Sequence, residues 1–456
     1  MSSSTARRVR ASLHLPTFRQ PSQVVVFGFA SAIVVGTVLL LLPVSRAGEG
    51  SAPFMVALFT ATSAVCVTGL VVVDTPSYWS GFGEVVILGL IQLGGLGIMT
   101  AASLLGLLVS RRMGLRSRLT AATETKSLGI GDVRAVLFGV LKVTVLFEVV
   151  VAVLLTLRFL LGYDVSVGRA VYHGVFHAVS AFNNAGFALY TDSLMRYVAD
   201  PWICLPIAVA VITGGLGFPV LFELRKQFGK PHDWSLHTKL TVTMTLILLA
   251  GGSLFITASE WSNPATLGAL EPSGRILAGF FHGVMSRTAG FNSLDVSQMQ
   301  DGTLLATIVL MFIGGGSAGT AGGIKVTTFV VLLFVIYAEV RGEATVNAFD
   351  RRIGSRVQRQ ALTVALLGVA AVVGSTLAIM AMTDLLLRDV LFEVTSAFGT
   401  VGLSTGITGD LPTAAQGLLV LVMFVGRLGP ITFAAAVALR ERQRLYQLPE
   451  GRPIIG

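Results

Sequence analysis

Four short segments recur along this chain in nearly constant register, each opening on a phenylalanine and closing on a glycine. They are Phe59-Thr-Ala-Thr-Ser-Ala-Val-Cys-Val-Thr-Gly69, Phe176-His-Ala-Val-Ser-Ala-Phe-Asn-Asn-Ala-Gly186, Phe281-His-Gly-Val-Met-Ser-Arg-Thr-Ala-Gly290 and Phe392-Glu-Val-Thr-Ser-Ala-Phe-Gly-Thr-Val-Gly402. The Phe-to-Gly spacing is 10, 10, 9 and 10, and successive glycines lie 117, 104 and 112 residues apart. A second signature follows each glycine at an offset of 25, 28, 24 or 24: Gly94-Gly-Leu-Gly97, Gly214-Gly-Leu-Gly217, Gly314-Gly-Gly-Ser317 and Gly426-Arg-Leu-Gly429. Self-similarity at a fixed period marks a repeat architecture. The chain therefore reads as four copies of one unit.

Each segment lies between apolar runs of about 20 residues, the length that crosses a hydrocarbon core of ~30 Å. Charged residues make up only 12% of the 456, against ~25% in soluble domains, which excludes an ordinary cytosolic enzyme. The runs do not alternate polar with apolar, so a barrel is excluded too. The segments themselves are too short to span, and irregular backbone at membrane depth is tolerated only where it is buried in protein or lines a water-filled path. The expected fold is an all-α polytopic membrane protein of four repeats, each a helix, a pore helix with a re-entrant loop, and a second helix, in pseudo-fourfold symmetry around a central pore. The repeats fall at 24–110, 135–226, 239–340 and 360–439, with tails at 1–23 and 440–456.

The net charge of +9 does not indicate nucleic acid, because most basic residues cluster between pairs of crossings. The groups are Arg7 to Arg19, Arg111 to Arg134, Arg225 to Lys239, Arg341 to Arg359, and Arg440 to Arg452. All lie on one side if the chain crosses twice between groups, as the positive-inside rule expects. This predicts eight crossings with both termini cytoplasmic. A cleaved signal peptide is disfavoured, since the apolar run from Val24 to Leu42 is too long for an h-region. Two cysteines, Cys66 and Cys204, provide neither a disulfide framework nor a Cys-based metal site.

In a re-entrant loop a glycine adopts positive φ, turns carbonyls toward an axis and leaves the path free of side chains. A ring of carbonyls replaces the hydration shell of a weakly hydrated monovalent cation. The candidate filter is Val67, Thr68 and Gly69; Asn184, Ala185 and Gly186; Thr288, Ala289 and Gly290; and Thr400, Val401 and Gly402. The alternative, that these glycines only let helices pack closely, explains one position better than four in register.

The third unit departs from the others. Thr303 to Val340 would form a straight helix of about 57 Å at ~1.5 Å per residue, so it must be broken. The break is expected across Gly314, Gly315, Gly316, Ser317, Ala318, Gly319, Thr320, Ala321, Gly322 and Gly323, where glycines disfavour helix by roughly 1 kcal/mol each. This segment is a candidate movable gate, with Lys325 at its end. A phosphate-binding loop is a poor rival without the Gly-Lys-Ser/Thr ending. Ionisable residues inside apolar runs are functional candidates. Arg427 lies mid-crossing in the last unit and is expected to pair with carbonyls freed at the broken helix. Arg287 is expected behind its loop as a brace, Lys142 to snorkel, and Glu148 to require an interior partner. His173 and His177, four apart, read as packing residues in the absence of further ligands.

These residues resemble the Trk/Ktr/HKT superfamily of potassium transporters. The resemblance rests on the Phe-x-x-x-Ser-Ala openings, Asn183-Asn-Ala-Gly-Phe187, Arg287-Thr-Ala-Gly-Phe291, Gly314 to Lys325 and Gly426-Arg-Leu-Gly-Pro430. It covers about residues 24 to 456 and is nearest the membrane subunit of the bacterial Ktr system, because one crossing precedes the first loop. It implies potassium as the transported ion bound at Gly69, Gly186, Gly290 and Gly402, a gating loop near Arg427, and a homodimer in a bacterial plasma membrane with lipid around it. It further implies a cytosolic nucleotide-binding regulatory ring as partner, with nucleotide acting only through that ring, and allows a sodium ion as activator. A sodium or ammonium path is the competing transport reading; glycine rather than serine at Gly69 favours potassium. A membrane-embedded enzyme finds no HExxH, paired intramembrane aspartates or Ser/His constellation in its support.

Overall fold

The computed structural model describes residues 21–112 and 133–429. Most of the expected tail 1–23, the basic stretch 113–132 with Arg116, Arg118 and Lys126, the end of repeat four from 430 and the tail 440–456 lie outside the described residues.

The first helices of the four repeats are Pro21–Leu40, Val133–Gly162, Leu236–Glu260 and Ser355–Met380. Each holds a stretch of 18 to 26 residues that is long and apolar enough to cross a membrane. Their outer faces are apolar and open, with Val34, Leu246 and Leu366 each 60–61% exposed. Such a surface suits hydrocarbon rather than water, because water would penalise that much uncovered apolar area. Lys142 is also exposed on its helix.

The pore helices are Phe54–Val65, Val167–Phe182, Pro272–Met285 and Leu387–Gly399. At 12 to 16 residues they run about 18–24 Å, short of a full crossing. The Phe-to-Gly motif occupies the C-terminal part of each. Phe59, Phe176, Phe281 and Phe392 are all fully buried, anchoring each pore helix in the interior 9 or 10 residues before its loop glycine.

The second helices are not equivalent. The first runs as Gly81–Arg112, and the fourth ends at Leu428 with Gly429 at φ +83°. Repeat three divides into Asp301–Phe312 and Val326–Val340 around a non-helical stretch. Sequence patterning placed a break in repeat three alone, but repeat two also bends, by 103°, between Pro201–Leu216 and Phe218–Gln227. Gly217 has φ +91° there, and Pro219, second in the following helix, needs no helical donor at that position. Of the expected eight crossings, the four first helices are long and apolar enough to span and the bent pair of repeat two makes a fifth, while the second helix is continuous in repeat one and broken in repeat three.

Candidate permeation site

The four loops share one backbone conformation. Positive φ occurs at the glycine in each repeat (Gly69 +89°, Gly186 +70°, Gly290 +70°, Gly402 +98°) and again two residues earlier (Val67 +55°, Asn184 +58°, Thr288 +72°, Thr400 +47°). The residue between them is not left-handed in any repeat. Alternating the hand of successive residues turns consecutive carbonyls to one side, whereas a strand points them to alternate sides. Three of the left-handed non-glycines are β-branched, a conformation that costs about 1–3 kcal/mol and persists only where its surroundings impose it.

The pore helices impose it by occupying the amide donors. Thr68 N–H donates to Ser63 O at 2.7 Å, Ala185 N–H to Ser180 O at 2.7 Å, and Val401 N–H to Ser396 O at 2.9 Å. The Ser63 and Ser396 hydroxyls accept from the filter glycine amides at 3.1 Å. With donors spent on the helix behind, the loop carbonyls are the polar groups left for the axis. Repeat three lacks this serine; Gly290 N–H reaches Met285 O at 3.2 Å, which accounts for its Phe-to-Gly spacing being one residue shorter.

The loops meet in chain order and close on themselves. A Cβ on Gly69 would lie 2.4 Å from Ala185 O, one on Gly186 2.8 Å from Ala289 O, one on Gly290 2.0 Å from Val401 O, and one on Gly402 2.3 Å from Thr68 O. Each glycine thus faces the carbonyl next to its counterpart in the following repeat, and the fourth returns to the first. A cavity of about 390 Å³ opens onto all four glycines from one side.

The second glycine signature sits directly behind. A Cβ on Gly94, Gly214 or Gly426 would lie 2.0 Å from the carbonyl of Val65, Phe182 or Phe398 respectively, each four residues before its loop glycine. These glycines let the second helix press on the end of its own pore helix. Gly314 differs, since its Cβ would meet Gly322 O at 2.0 Å, within the break of repeat three.

That break folds against the ring on the side away from the cavity. Its ends are drawn together by Gly314 N–H to Ile324 O and Val326 N–H to Gly315 O, both 2.9 Å. Gly316 N–H reaches Gly215 O at 2.8 Å and Thr320 N–H reaches Gly214 O at 3.1 Å, so the loop rests on the bend of repeat two. The Thr320 hydroxyl donates to Asn184 Oδ1 at 2.9 Å, linking loop to filter directly. Lys325 Nζ donates back to Ala321 O at 2.5 Å.

Two buried arginines hold this segment. Arg427, 2% exposed, donates to Thr320 O and, at 3.3 Å, to Gly94 O. It therefore grips a carbonyl in the middle of the break, among the carbonyls freed where the third helix is interrupted. Arg287 takes the helix end instead, donating to Gly314 O at 3.1 Å and Thr245 O at 3.0 Å. A guanidinium in such surroundings requires acceptors, and here all are main-chain carbonyls.

Glu148 has the partners that sequence could not name. Its carboxylate accepts from Gln92 Nε2 at 3.2 Å and Asn183 Nδ2 at 3.1 Å, and Asn183 immediately precedes Asn184 of the ring. Neither Gln92 nor Asn183 carried a signal as a network member, because they join across 91 residues. His173 and His177 pack with aromatic residues: His173 Nδ1 lies 2.7 Å from Tyr190 OH, and His177 Nδ1 2.7 Å from His173 O. Cys66 is fully buried at the end of the first pore helix.

Four re-entrant loops closed into a ring within lipid-facing helices define a multi-pass membrane protein of the transporter class. The family model described as "TrkH: Cation transport protein" matches residues 3–446, and the chain belongs to that family. It is 42% identical over 440 residues to "Ktr system potassium uptake protein B" of Bacillus subtilis (strain 168), covering 96% of this chain and 97% of that protein. It is 35% identical over 437 residues to the protein of the same name from Vibrio alginolyticus, covering 95% and 94%. The crystal structure of the potassium transporter TrkH from Vibrio parahaemolyticus superposes with a TM-score of 0.74 at 18% identity, covering 94% of this chain and 87% of that one; at that identity the likeness speaks to fold.

Proposed function

We propose that this chain is the ion-translocating subunit of a potassium uptake system in a bacterial plasma membrane, with both termini cytoplasmic. The single observation that carries this reading is the cyclic closure of the four loop glycines, Gly69 to Gly186 to Gly290 to Gly402 and back. A ring with donors turned away and carbonyls left over suits an ion that sheds water easily. The filter is built by residues 67–69, 184–186, 288–290 and 400–402. The glycine-rich segment 314–323 obstructs the inner path, and Arg427 and Arg287 set how strongly it is held. The uptake function named for the relatives supports potassium as the transported ion.

The basic loops leave the cytoplasmic face without a soluble domain among the described residues, so regulation falls to a separate partner. We assign that role to a cytosolic nucleotide-binding ring acting on a homodimer of this chain, with nucleotide bound by the ring alone. Sodium enters as a candidate activator.

Purified protein in liposomes with opposed potassium and sodium gradients tests the reading. Potassium flux exceeding sodium flux, with the preference lowered by Gly69→Ser, is the expected result. Equal permeation of both ions by the wild-type protein would refute selectivity at this ring. Native mass measurement showing only monomer would refute the dimer.

A further inference from the structure

We propose that Asp74 makes the outer cavity a staging site for a hydrated monovalent cation, concentrating the ion at the mouth of the ring before it dehydrates. The inference rests on the transport reading above and adds a residue outside the filter to it. The cavity of about 390 Å³ is bounded on its inner side by all four ring glycines. At ~30 Å³ per water it holds on the order of ten waters, enough for one ion with its hydration shell. Among the described residues, Asp74 is the only charged one lining it. One negative charge in a concave, low-dielectric mouth raises the local concentration of cations, and the effect is screened by salt.

The carboxylate is held in place. Asp74 Oδ2 accepts from Ser77 Oγ at 2.5 Å and from Thr191 Oγ1 at 2.9 Å, the second bond tying the loop after the first filter to the loop after the second. An arginine beside the cavity wall is already matched. Arg196 lies over the ring of Tyr190, which lines the cavity, but it pairs with Asp192 at 2.7 Å.

A second feature, on the wall supplied by the adjoining fourth repeat, favours the same sign of ligand. Ser404 and Thr408 line the cavity, and both donate their hydroxyl hydrogens to Glu393, which is fully buried behind them. A hydroxyl that has given its proton backward can act toward the cavity only as an acceptor, and Ser404 spends part of that capacity on Gly406 N–H at 2.9 Å. The mouth thus presents one carboxylate and oriented oxygen dipoles, a combination suited to a cation that keeps its water.

The test is the concentration dependence of potassium uptake into proteoliposomes at low and high ionic strength, the latter raised with N-methylglucamine chloride. At roughly 10 mM ionic strength, Asp74→Asn is expected to raise KM about threefold or more with maximal flux within about twofold, and the difference should fade by about 0.3 M. Asp74→Glu should restore a wild-type KM, and the wild-type KM should itself rise with ionic strength. A purely structural role would give a defect that salt does not erase. Wild-type KM in Asp74→Asn at low salt, a salt-independent defect, or a wild-type KM indifferent to ionic strength would each overturn the staging role. Wild-type protein with no potassium flux at all would overturn the transport reading, and the staging role with it.

Discussion

The ring of filter loops and the layer beneath it are built from the same four repeats, yet one keeps the symmetry and the other abandons it. In the ring, backbone φ values, the amide bonds of repeats one, two and four, and the facing of each glycine on its neighbour recur around the axis. In the layer below, repeat one supplies Gly94 O, repeat two a 103° bend, repeat three the intervening loop, and repeat four Arg427. The ring is made from main chain, where any compatible side chain serves. The layer beneath depends on particular side chains, two buried guanidinium groups above all. One ion on an axis is best surrounded equally, whereas a single obstruction must enter from one side.

The ring should be the less forgiving of the two. Gly290→Ala places a Cβ 2.0 Å from Val401 O and 2.8 Å from Gly402 Cα at φ +70°, against backbone that cannot yield without breaking the next loop. Overpacking and a left-handed alanine together cost several kcal/mol. Potassium uptake is expected to fall about 100-fold, measured in an uptake-deficient bacterium at equal membrane abundance; growth at wild-type rates on limiting potassium would contradict the closed ring.

The layer beneath should respond in the opposite direction. Removing one partner of a buried charged interaction costs about 3–5 kcal/mol, so Arg427→Ala is expected to raise flux by about tenfold or more and to weaken its dependence on the proposed cytosolic ring. Ion preference should be unchanged, which separates the two layers. A folded Arg427→Ala protein with ordinary flux and ordinary regulation would reduce the arginine to a brace.

Glu148 lies between these extremes, since it touches the filter only through Asn183. Glu148→Gln keeps the shape and can still bond both amides after reorientation, so flux should change by about twofold or less, while Glu148→Ala strands the Gln92 Nε2 donor at roughly 1–3 kcal/mol. Thermal midpoints and the potassium-to-sodium ratio together check this; a Gln variant as impaired as the Ala variant would mean that the charge itself matters. The smallest effect is expected from Gly374→Ala in the fourth first helix, where an added Cβ meets nothing within 4 Å. Flux within about 20% of wild type is the expected result, and a larger loss would reveal a neighbour such as a second protomer.

Much of the ring was legible in the sequence because its determinants are local. The spacing from buried phenylalanine through Ser63, Ser180 or Ser396 to a glycine encodes pore helix, amide anchor and loop in one short stretch. The second signature was visible as a pattern, but its reason was not, since Gly94 and Val65 meet only once the helices are packed. The bend at Gly217 escaped notice because repeat two keeps the same Gly-Gly-Leu-Gly as repeat one. Only the following Phe218-Pro219 distinguishes them. That Arg427 reaches the broken segment was legible, but not which carbonyl it takes, as its acceptor Thr320 lies 107 residues away.

The contact between Gly402 and Gly69 joins the last quarter of the ring to the first, and this bears on how the chain is made. Residues 60–70 leave the ribosome more than 330 residues before their partner at 402. Until that partner arrives, three re-entrant loops must wait in or beside the bilayer with a gap where the fourth belongs, their unpaired carbonyls facing whatever fills it. Synthesis halted before the last pore helix would leave an open ring, so the final repeat is the seal that only a finished chain can supply.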